Sequence, residues 1–353
     1  MSNIWKKIDR PIKVLAPMAG YTDSAFRQLC RELGADLAMT ELISADAIFH
    51  TAKNWYRDEK GLPAGQAGEW QSKKGKDETL QMLKFDEGER PIIIQLFGKF
   101  PEKFAFAAEW ISENLRPDGI DINMGCPARK VVNSDHGAAL LKNPALACEI
   151  VRAVKENTDL PVSVKTRLGW DRDDQILEFA PELVKAGISA IMVHGRTYKD
   201  GFKGKARWEN IYSVKKLLGD SVAVIGNGDL QSISNLEYRN TKQIQSTKDE
   251  NSNNFRISDL EFRISPLDGV AIGRAAIGKP WIFSKDEISQ EELKKIALRH
   301  AKLAFERKGE SGIVEFRKHL LFYLRGFPGA KDMRKQAVSI ITYDDVFDLI
   351  TAL

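Results

Sequence analysis

The chain has 353 residues and a net charge of +4, and its 43% hydrophobic and 29% charged residues are ordinary for a globular protein. Three scattered cysteines exclude a disulfide framework and a cysteine-rich zinc site, and five histidines without metal-ligand spacing lead us to expect no metal. No apolar run reaches the roughly 18–20 residues of a membrane span and the N-terminus lacks a secretory apolar core, so we expect a cytoplasmic protein without membrane contact.

Short apolar runs alternate with segments that carry an apolar residue at every third or fourth position, which is typical of strands alternating with amphipathic helices. The eight runs that we predict to be strands cover residues 12–17, 36–42, 91–98, 119–125, 161–167, 189–195, 221–228 and 267–273. Eight such units predict an α/β fold, a (β/α)8 TIM barrel. A doubly wound sheet is the alternative, but the GxGxxG turn that normally follows its first strand is missing from this sequence.

Within the predicted strands, apolar and polar side chains point to opposite faces. In residues 161–167, Val162 and Val164 share one face, whereas Ser163 and Lys165 share the other. The branched residues suit the outer face, which the helices cover, so the polar ones point inward near the carboxyl ends of the strands, where barrel enzymes hold their active sites. The inward polar residues at these ends are Gln95, Asn123, Lys165, His194 and Asn227.

Two polar segments, residues 51–78 and 236–266, interrupt the alternation and are predicted to be long insertions. Beyond residue 285 the pattern is purely helical. We therefore divide the chain into a barrel domain over residues 1–285 and a C-terminal all-α helical domain over 286–353. The segment 311–336 holds six Lys or Arg and two acidic residues, which equals the whole excess positive charge of the chain; a solvated helix face is the ordinary explanation of such a cluster.

The loops after the seventh and eighth strands, residues 226–230 and 273–283, are rich in glycine. Barrels often bind phosphate in these two loops, on backbone N–H groups and a helix N-terminus. Gly228 and Gly273 permit a close approach of the backbone, and Arg274 can form paired hydrogen bonds with phosphate oxygens. We therefore expect a cofactor that carries a phosphate.

The end of the first strand is built from small residues that would let a flat ring lie against the backbone, namely Ala16, Pro17 and Met18. Gln95, Lys165 and His194 point hydrogen-bonding groups into the same mouth. A heteroaromatic ring with several carbonyl groups, carried on a ribityl phosphate, would satisfy this set, and FMN is such a molecule.

Seven segments of the chain together resemble the tRNA-dihydrouridine synthase family. They are APMAGYTDSAFR, DINMGCPARKVV, VKTRLGW, VHGRT, GNGD and GRAAIGKPWIF in the barrel and FRKHLLFYLRGFPGAKDMR in the C-terminal region, and they run in family order from about residue 11 to about residue 336. The resemblance implies a bacterial-type, FMN-dependent enzyme that takes electrons from NADPH or NADH and reduces the C5=C6 bond of particular uridines in the tRNA D-loop. It also implies a barrel followed by a helical tRNA-binding domain, in a protein that is ordinarily a monomer.

The resemblance assigns the role of general acid to the cysteine of the GCP loop, which is Cys126 in this chain. Reduced flavin would deliver a hydride to C6 of the uracil, and Cys126 would protonate C5 from the other side. The residues implied to hold FMN are Ala16, Pro17, Met18, Gln95, Lys165, His194, Asn227, Gly228, Asp229, Gly273 and Arg274. Asn123 and Arg167 are implied to contact the uracil, and Cys30 and Cys148 are expected only to pack.

The target uracil of a folded tRNA is stacked, and turning it out costs a few kcal/mol that contacts with the RNA backbone must offset. The residues that we expect to bind tRNA phosphates are Arg317, Lys318, Arg325, Lys331, Arg334 and Lys335, and within the first insertion Lys53, Arg57, Lys73 and Lys74 are further candidates. Two alternatives stay open. A small-molecule flavin-dependent pyrimidine reductase has no use for the basic helical segment, and a non-catalytic tRNA-binding protein has no use for Cys126 or the phosphate loops.

Overall fold

Eight parallel strands close into a barrel in which each strand pairs with the next one in the chain and the last pairs with the first. The strands are β1 (Ile12–Leu15), β2 (Leu37–Ser44), β3 (Ile92–Phe97), β4 (Gly119–Met124), β5 (Val162–Arg167), β6 (Ala190–His194), β7 (Ala223–Asn227) and β8 (Gly269–Ile272). Each predicted strand window coincides with one of them. The prediction of a (β/α)8 TIM barrel is therefore confirmed, and the doubly wound sheet is excluded.

The structure is a computed structural model that describes residues 3–58, 78–231, 267–285, 287–327 and 329–353. All of the second predicted insertion and most of the first lie outside the described residues. The RNA contacts expected of Lys73 and Lys74 and the side chains of Lys53 and Arg57 lie outside them as well. Residues 51–58, which we placed in the first insertion, instead continue a helix that begins at Ala45.

Helices follow most of the strands and cover the outside of the barrel, and one short helix precedes β1. In the barrel region they are α1 (Ile4–Lys7), α2 (Ser24–Glu32), α3 (Ala45–Asp58), α4 (Glu78–Leu83), α5 (Pro101–Asn114), α6 (Arg129–Val132), α7 (Pro144–Glu156), α8 (Gln175–Ala186) and α9 (Trp208–Leu218). In the C-terminal region they are α10 (Gln290–Lys308), α11 (Glu310–Tyr323), α12 (Ala330–Ala337) and α13 (Tyr343–Thr351). Among the described residues beyond 285 all regular structure is helical, as predicted.

Local sequence signals set several helix ends. The Asp23 carboxylate accepts a hydrogen bond from the Phe26 N–H and so caps the start of α2. Ser289 and Glu292 form a reciprocal capping box at the start of α10. Helix α8 ends at Gly187, whose φ of 110° is accessible to glycine without the steric cost that a Cβ would bring.

The strands separate two apolar layers. The outward residues Ile120, Ile122 and Val162 belong to the core between the strands and the surrounding helices. Inside the barrel, the half where the strands begin is also apolar, and Trp5 of α1 packs into that cluster with Ile12. Each such buried side chain contributes about 1.5–3 kcal/mol relative to an exposed one. The half where the strands end is lined by polar groups, which positions any chemistry at that end.

The C-terminal helices form a third apolar cluster, and this cluster includes Ala25, Leu29 and Trp281 of the barrel region. Helix α10 packs along α2, and Arg299 donates two hydrogen bonds to the Glu32 carboxylate. Because the two regions share one apolar cluster, the division into two domains at residue 285 stays a prediction. In the described part of the chain, no helix is both long enough and apolar enough to cross a membrane.

A set of charged and aromatic groups joins the helical region to the barrel, and we call it the interface cluster: Asp23, His300, Lys318, His319 and Tyr323. The two imidazoles and the tyrosine are buried, and the carboxylate and the ammonium are half-buried. The Lys318 ammonium lies 2.9 Å from Asp23 Oδ2, and His319 Nε2 lies 3.7 Å from the same oxygen. His300 Nδ1 lies 3.0 Å from the Tyr323 hydroxyl. The potential ligand atoms of Asp23, His300 and His319 lie within 4.8 Å of one another, but Lys318 already balances the carboxylate, so we interpret the cluster as an ion-pair network.

Electrostatics fix the charge states within the interface cluster. Burial acts to raise the pKa of Asp23, but His319 and Lys318 outweigh burial and hold that pKa well below its ordinary value. Burial lowers the pKa of His300 well below the usual value and also lowers that of His319. The cluster therefore holds one carboxylate and one ammonium with two neutral imidazoles.

Candidate active site

A continuous chain of hydrogen bonds crosses the inside of the barrel from β5 to the loop that carries Cys126. Ser163 Oγ donates to Asp121 Oδ1 over 2.6 Å, and Gln95 Nε2 donates to Asp121 Oδ2 over 2.7 Å. Asn123 Nδ2 donates to Gln95 Oε1 over 2.8 Å. The other end of the Asn123 amide accepts the Cys126 N–H over 2.9 Å. Gln95 and Asn123 are thus joined, as their predicted positions at neighbouring strand ends suggested.

Asp121 is the buried acid of this chain of hydrogen bonds, and the sequence reasoning did not select it. Burial raises its pKa to about 6, although hydrogen bonds from Ser163 and Gln95 and the charge of Lys165 act in the opposite direction. The signal was present in the alternation of GIDIN, where Asp121 shares the inward face of β4 with Asn123. An acid at this place fixes the orientation of the Gln95 amide and, through it, that of Asn123.

Lys165 and Asn227 come together at the ends of β5 and β7. Lys165 Nζ donates to Asn227 Oδ1 over 3.1 Å, and Asn227 Nδ2 donates to the Ala271 carbonyl over 2.8 Å. Burial, helped by the charge of Arg167, lowers the pKa of Lys165 to about 8. The ammonium therefore stays protonated at neutral pH, and no carboxylate among the described residues lies within ion-pair distance of it.

His194 ends β6 and is a buried, neutral imidazole. Burial and then the charges of Lys165 and Arg167 lower its pKa to about 2. Its Nε2 lies 3.3 Å from Arg196 Nη1. Gly228 allows this packing, because a Cβ built at Gly228 would lie 2.9 Å from His194 Cδ2, and its φ of 123° is one that glycine adopts freely.

Arg196 is buried beside His194, and the sequence reasoning did not select it. Its Nη2 lies 2.7 Å from both carboxylate oxygens of Asp229, and the Ala206 N–H also donates to Asp229 over 2.7 Å. Asp229, which the resemblance assigned to FMN, is thus bound to protein groups that shape the loop after β6. Its contact with FMN stays a prediction.

The ends of β1 and β8 lie side by side, so the small residues after β1 lie next to the loop that follows β8. The Ala16 N–H donates to the Ile272 carbonyl over 2.9 Å. A Cβ at Gly273 would lie 3.5 Å from Met18 Sδ and 3.7 Å from Ala16 Cβ, so the Gly273 backbone lies close to these two side chains. Pro17, between them, is half-buried. Ala16, Pro17, Met18 and Gly273 are therefore brought together as predicted.

Arg274 follows Gly273 and is exposed, with its guanidinium 4.5 Å from the ring centre of Phe202. The Phe202 side chain is 56% exposed, the largest value among the exposed large hydrophobic residues that the structure describes. The centre of the Phe202 ring also lies 5.5 Å from the guanidinium carbon of Arg167. It is an aromatic group at the mouth that the sequence reasoning missed, since a lone Phe in a polar loop gives no pattern.

Arg167 is 2% exposed at the end of β5. Its Nε donates to the Gly125 carbonyl over 2.8 Å, and its Nη1 donates to the carbonyls of Thr197 and Gly201 over 2.9 and 2.8 Å. The side chain therefore bridges two loops at the mouth. Its predicted contact with the uracil stays a prediction, and the protein contacts give it a further role.

The cysteines differ as the sequence suggested. Cys126 is half-buried in the loop after β4, whereas Cys30 and Cys148 are buried in α2 and α7. Pro127 follows Cys126 and fixes one backbone dihedral of that loop. Among the three thiols, Cys126 is therefore the one placed to meet a substrate at the mouth.

The residues predicted to bind tRNA fall into two groups. Lys318 pairs with Asp23 in the interface cluster, and Arg317 Nε donates to the Ile340 carbonyl, so both already have protein partners. The more open ones are Arg325, Lys331, Arg334 and Lys335, of which Lys335 pairs with Asp332 on an exposed helix face. Their contacts with RNA stay predictions.

The mouth fits the FMN that the sequence predicted. Lys165, Arg167 and Arg274 have no carboxylate partner among the described residues, so an anionic group could balance their charge. Gly273 leaves the backbone of the loop after β8 without a side chain at the mouth, and Gly228 lets the loop after β7 pack closely against His194. Gln95, Asn227 and the neutral His194 offer hydrogen-bonding groups of the kind a flavin ring requires.

A closed parallel barrel with buried polar side chains at the carboxyl ends of its strands and glycine-rich loops beside them has the architecture of a barrel enzyme. A family model described as "Dihydrouridine synthase (Dus)" matches residues 14–65, 70–246 and 251–351. The chain therefore belongs to the dihydrouridine synthase family, and the family and enzyme class predicted from the sequence are confirmed.

Two relatives show how far the similarity extends. The probable tRNA-dihydrouridine synthase of Aquifex aeolicus is 35% identical over 335 residues, which cover 92% of this chain and 90% of that protein. The tRNA-dihydrouridine synthase B of Pseudomonas aeruginosa is 36% identical over 336 residues, which cover 92% of this chain and 86% of that protein. Among solved structures, a mandelate oxidase with benzoyl-formic acid matches with a TM-score of 0.43 and 14% identity over 98% of this chain and 79% of that chain, a likeness too low to bear on function.

Proposed function

We propose that this chain is an FMN-dependent tRNA-dihydrouridine synthase that reduces the C5=C6 bond of D-loop uridines with electrons from NADPH or NADH. The observation that carries the proposal is the place of Cys126, half-buried at the mouth of a dihydrouridine synthase barrel and tied by its N–H to the buried Asn123. The same loop lies beside Lys165 and Arg167, whose charges would accompany an anionic cofactor.

Cys126 is the proton donor of the proposed reaction. When bound and reduced, FMN supplies the hydride for C6 of the uracil. The Cys126 thiol gives its proton to C5, and solvent restores that proton once the product has left. Asn123 would orient the base, since its amide already contacts the Cys126 N–H and is held in turn by the buried Gln95.

Residues at the ends of six strands would hold the cofactor. Lys165 would place a positive charge against the ring, where negative charge develops on reduction. Gly228, Gly273 and Arg274 would hold the phosphate. Ala16, Pro17 and Met18 would contact the ring, together with Gln95, His194 and Asn227. Asp229 would act through the loop that it fixes with Arg196.

The RNA would bind across the mouth and the helical region, with the target uridine turned out of its stack. The basic residues of 311–336 that are open to solvent would contact phosphates of the tRNA, while Phe202 lies exposed at the edge of the mouth. We expect the protein to act as a monomer, as the family resemblance implies.

The experiment is to purify the protein, record its flavin spectrum, and incubate it with NADPH and tRNA from a strain that lacks dihydrouridine synthases. We expect a yellow protein, NADPH oxidation that requires tRNA, and dihydrouridine at D-loop positions by mass spectrometry. The Cys126→Ala variant should bind FMN and be reduced by NADPH but form little dihydrouridine. Reduction of free uracil or orotate instead of tRNA would favour the small-molecule reductase, and a colourless protein that binds tRNA would favour the non-catalytic alternative.

A further inference from the structure

The backbone of Gly125, the residue that precedes Cys126, is held on both sides. The Gly125 N–H donates to Asn123 Oδ1 over 3.2 Å, and the Gly125 carbonyl accepts from Arg167 Nε over 2.8 Å. The loop also lies close against β5, because a Cβ at Gly125 would come within 3.2 Å of the Thr166 backbone. The position of Cys126 therefore depends on a backbone segment with two side-chain anchors.

Arg167 is the anchor that reaches beyond this loop. Its Nη1 donates to the carbonyls of Thr197 and Gly201, which belong to the loop after β6. Asp200 in that loop accepts the Thr197 N–H over 2.8 Å, so the carbonyls that Arg167 contacts lie in a folded turn. One buried guanidinium thus connects the loop of Cys126 to the loop that carries Phe202.

The chemistry of arginine suits this task and that of lysine does not. A guanidinium presents several donors in a fixed plane, so it can hold three carbonyls of two loops at once. A lysine ammonium is a compact charge on a flexible stem and would not keep the same geometry. None of the three partners is a carboxylate, so the arrangement serves to fix backbone rather than to neutralise charge.

We propose that Arg167 is a positioning residue that holds Cys126 in register with the substrate by tying the Gly125 carbonyl to the loop over residues 196–207. This inference rests on the proposed function, since it assumes that Cys126 delivers the proton. Proton donors act only within hydrogen-bond reach of the reacting atom, and a displacement of about 1 Å can cost about 10²-fold in rate.

The first test separates the two half-reactions in Arg167→Met and Arg167→Lys. Enzyme-bound FMN is reduced with NADPH, and its reoxidation by dihydrouridine-free tRNA is followed by absorbance. All rates are expressed per bound FMN, because Arg167 also contributes positive charge to the mouth and its loss can lower FMN content. We expect reduction of the bound FMN by NADPH within about twofold of the unaltered protein, with reoxidation about 100-fold slower in Arg167→Met. Arg167→Lys should be nearly as slow, because it keeps the charge but not the planar set of donors. Arg172→Met is the matched control, since Arg172 is an exposed arginine whose partners are Asp174 and Glu178, and it should behave as the unaltered protein.

The second test asks whether Arg167 acts through Cys126. If it does, adding Arg167→Met to Cys126→Ala should slow reoxidation by less than about threefold, because the two residues serve one step and their effects do not multiply. Full multiplication of the two effects, or a normal rate in Arg167→Lys, would overturn the proposal. A normal rate in Cys126→Ala alone would instead refute the proposed function.

The third test does not depend on activity. Hydrogen exchange at the Gly125 and Cys126 amides should be at least about tenfold faster in Arg167→Met and in Arg167→Lys than in the unaltered protein, with or without FMN, and unchanged in Arg172→Met. If exchange at these two amides stays unchanged in both Arg167 variants, the loop is held without Arg167 and the inference fails. This measurement decides the point even if the proposed reaction is wrong.

Discussion

The mouth of the barrel and the interface cluster both bury charged groups, but they balance charge differently. In the interface cluster the Lys318 ammonium meets the Asp23 carboxylate at 2.9 Å, and the two imidazoles beside them are neutral. At the mouth, Lys165 and Arg167 donate only to amide and carbonyl oxygens. Within the described residues, the interface cluster pairs its carboxylate directly with an ammonium. At the mouth, no carboxylate of the described residues lies within ion-pair distance of Lys165 or Arg167, and Asp121 acts on Lys165 only from further away.

This difference indicates that the interface cluster stabilises the fold, whereas the mouth is suited to bind a ligand. Burying an uncompensated cation costs free energy, and such a cost persists where a bound partner or a reaction uses the charge. We therefore expect substitutions at the mouth to change binding and catalysis more than stability, and substitutions in the interface cluster to do the reverse.

The largest effect that we expect is the loss of dihydrouridine formation in Cys126→Ala. Removal of a general acid lowers the rate by about 10²–10⁴-fold. The free energy of unfolding should change by less than about 1 kcal/mol, because the thiol is half-buried and leaves at most a small cavity. Single-turnover formation of dihydrouridine and urea denaturation measure the two quantities. Comparable losses of activity and stability would break the distinction between the mouth and the interface.

The next effect is a loss of stability in Asp23→Ala, which we expect to lower the free energy of unfolding by about 2–4 kcal/mol. The substitution removes the cap of α2 and leaves the Lys318 ammonium without its partner. Asp23→Asn keeps an oxygen for the cap but not the charge, so it should lose less. Glu32→Ala removes a more exposed pair with Arg299 and serves as the control, with an expected change under about 1 kcal/mol. Equal losses in Glu32→Ala and Asp23→Ala would contradict the role of the half-buried ion pair between Asp23 and Lys318.

At the mouth, Lys165→Met should stabilise the protein without cofactor by about 1–3 kcal/mol while weakening FMN binding. The reason is that burial lowers the pKa of Lys165 to about 8, so holding the charged ammonium there at neutral pH is unfavourable to folding. Urea denaturation of the cofactor-free protein and titration with FMN measure the two effects. A less stable variant would mean that the Lys165 charge is balanced within the protein.

Stability should also fall as the pH drops below about 6.5, by up to about 1.4 kcal/mol per pH unit for each buried neutral histidine. The pKa values of His300 and His319 are lowered by burial and that of His194 is lowered to about 2, so the unfolded chain takes up these protons before the folded chain does. Above pH 6.5 this contribution is fully present. Denaturation at pH 7.5, 6.5 and 5.5 should show the decline, and His300→Gln should make it shallower; an unchanged slope would mean that His300 is already protonated in the folded protein.

The barrel and the inward residues were predictable because their signals are local. Alternation along each strand places Gln95, Asn123, Lys165, His194 and Asn227 at the mouth, since a strand repeats every two residues whatever its neighbours are. The spacing of the eight apolar runs was enough to predict their number and order. Recognition of the GCP loop added Cys126, for which alternation alone gives no role.

The contacts that join distant segments could not be read in the same way. Asp23 and His319 are almost three hundred positions apart, and nothing in their local patterns predicts that they meet. The sequence placed Arg167 at the mouth but did not indicate that its donors hold the carbonyls of two other loops. Arg196 was missed for the same reason, because its role depends on Asp229 in the next strand-end loop.

The smallest effect that we predict concerns tRNA affinity and distinguishes two lysines of the basic segment. Lys331 is exposed without an ion pair among the described residues, whereas Lys318 is paired with Asp23. Lys331→Met should weaken tRNA binding by about 1 kcal/mol and reduce the slope of log affinity against log salt by about 1. Lys318→Met should leave that slope unchanged and instead lower the free energy of unfolding by about 1–2 kcal/mol. Filter binding over a range of salt concentrations, with denaturation of the same variants, measures both. If Lys318→Met reduces the slope as much as Lys331→Met does, Lys318 leaves Asp23 for the RNA, and the interface cluster would be part of the tRNA-binding surface rather than a purely structural contact.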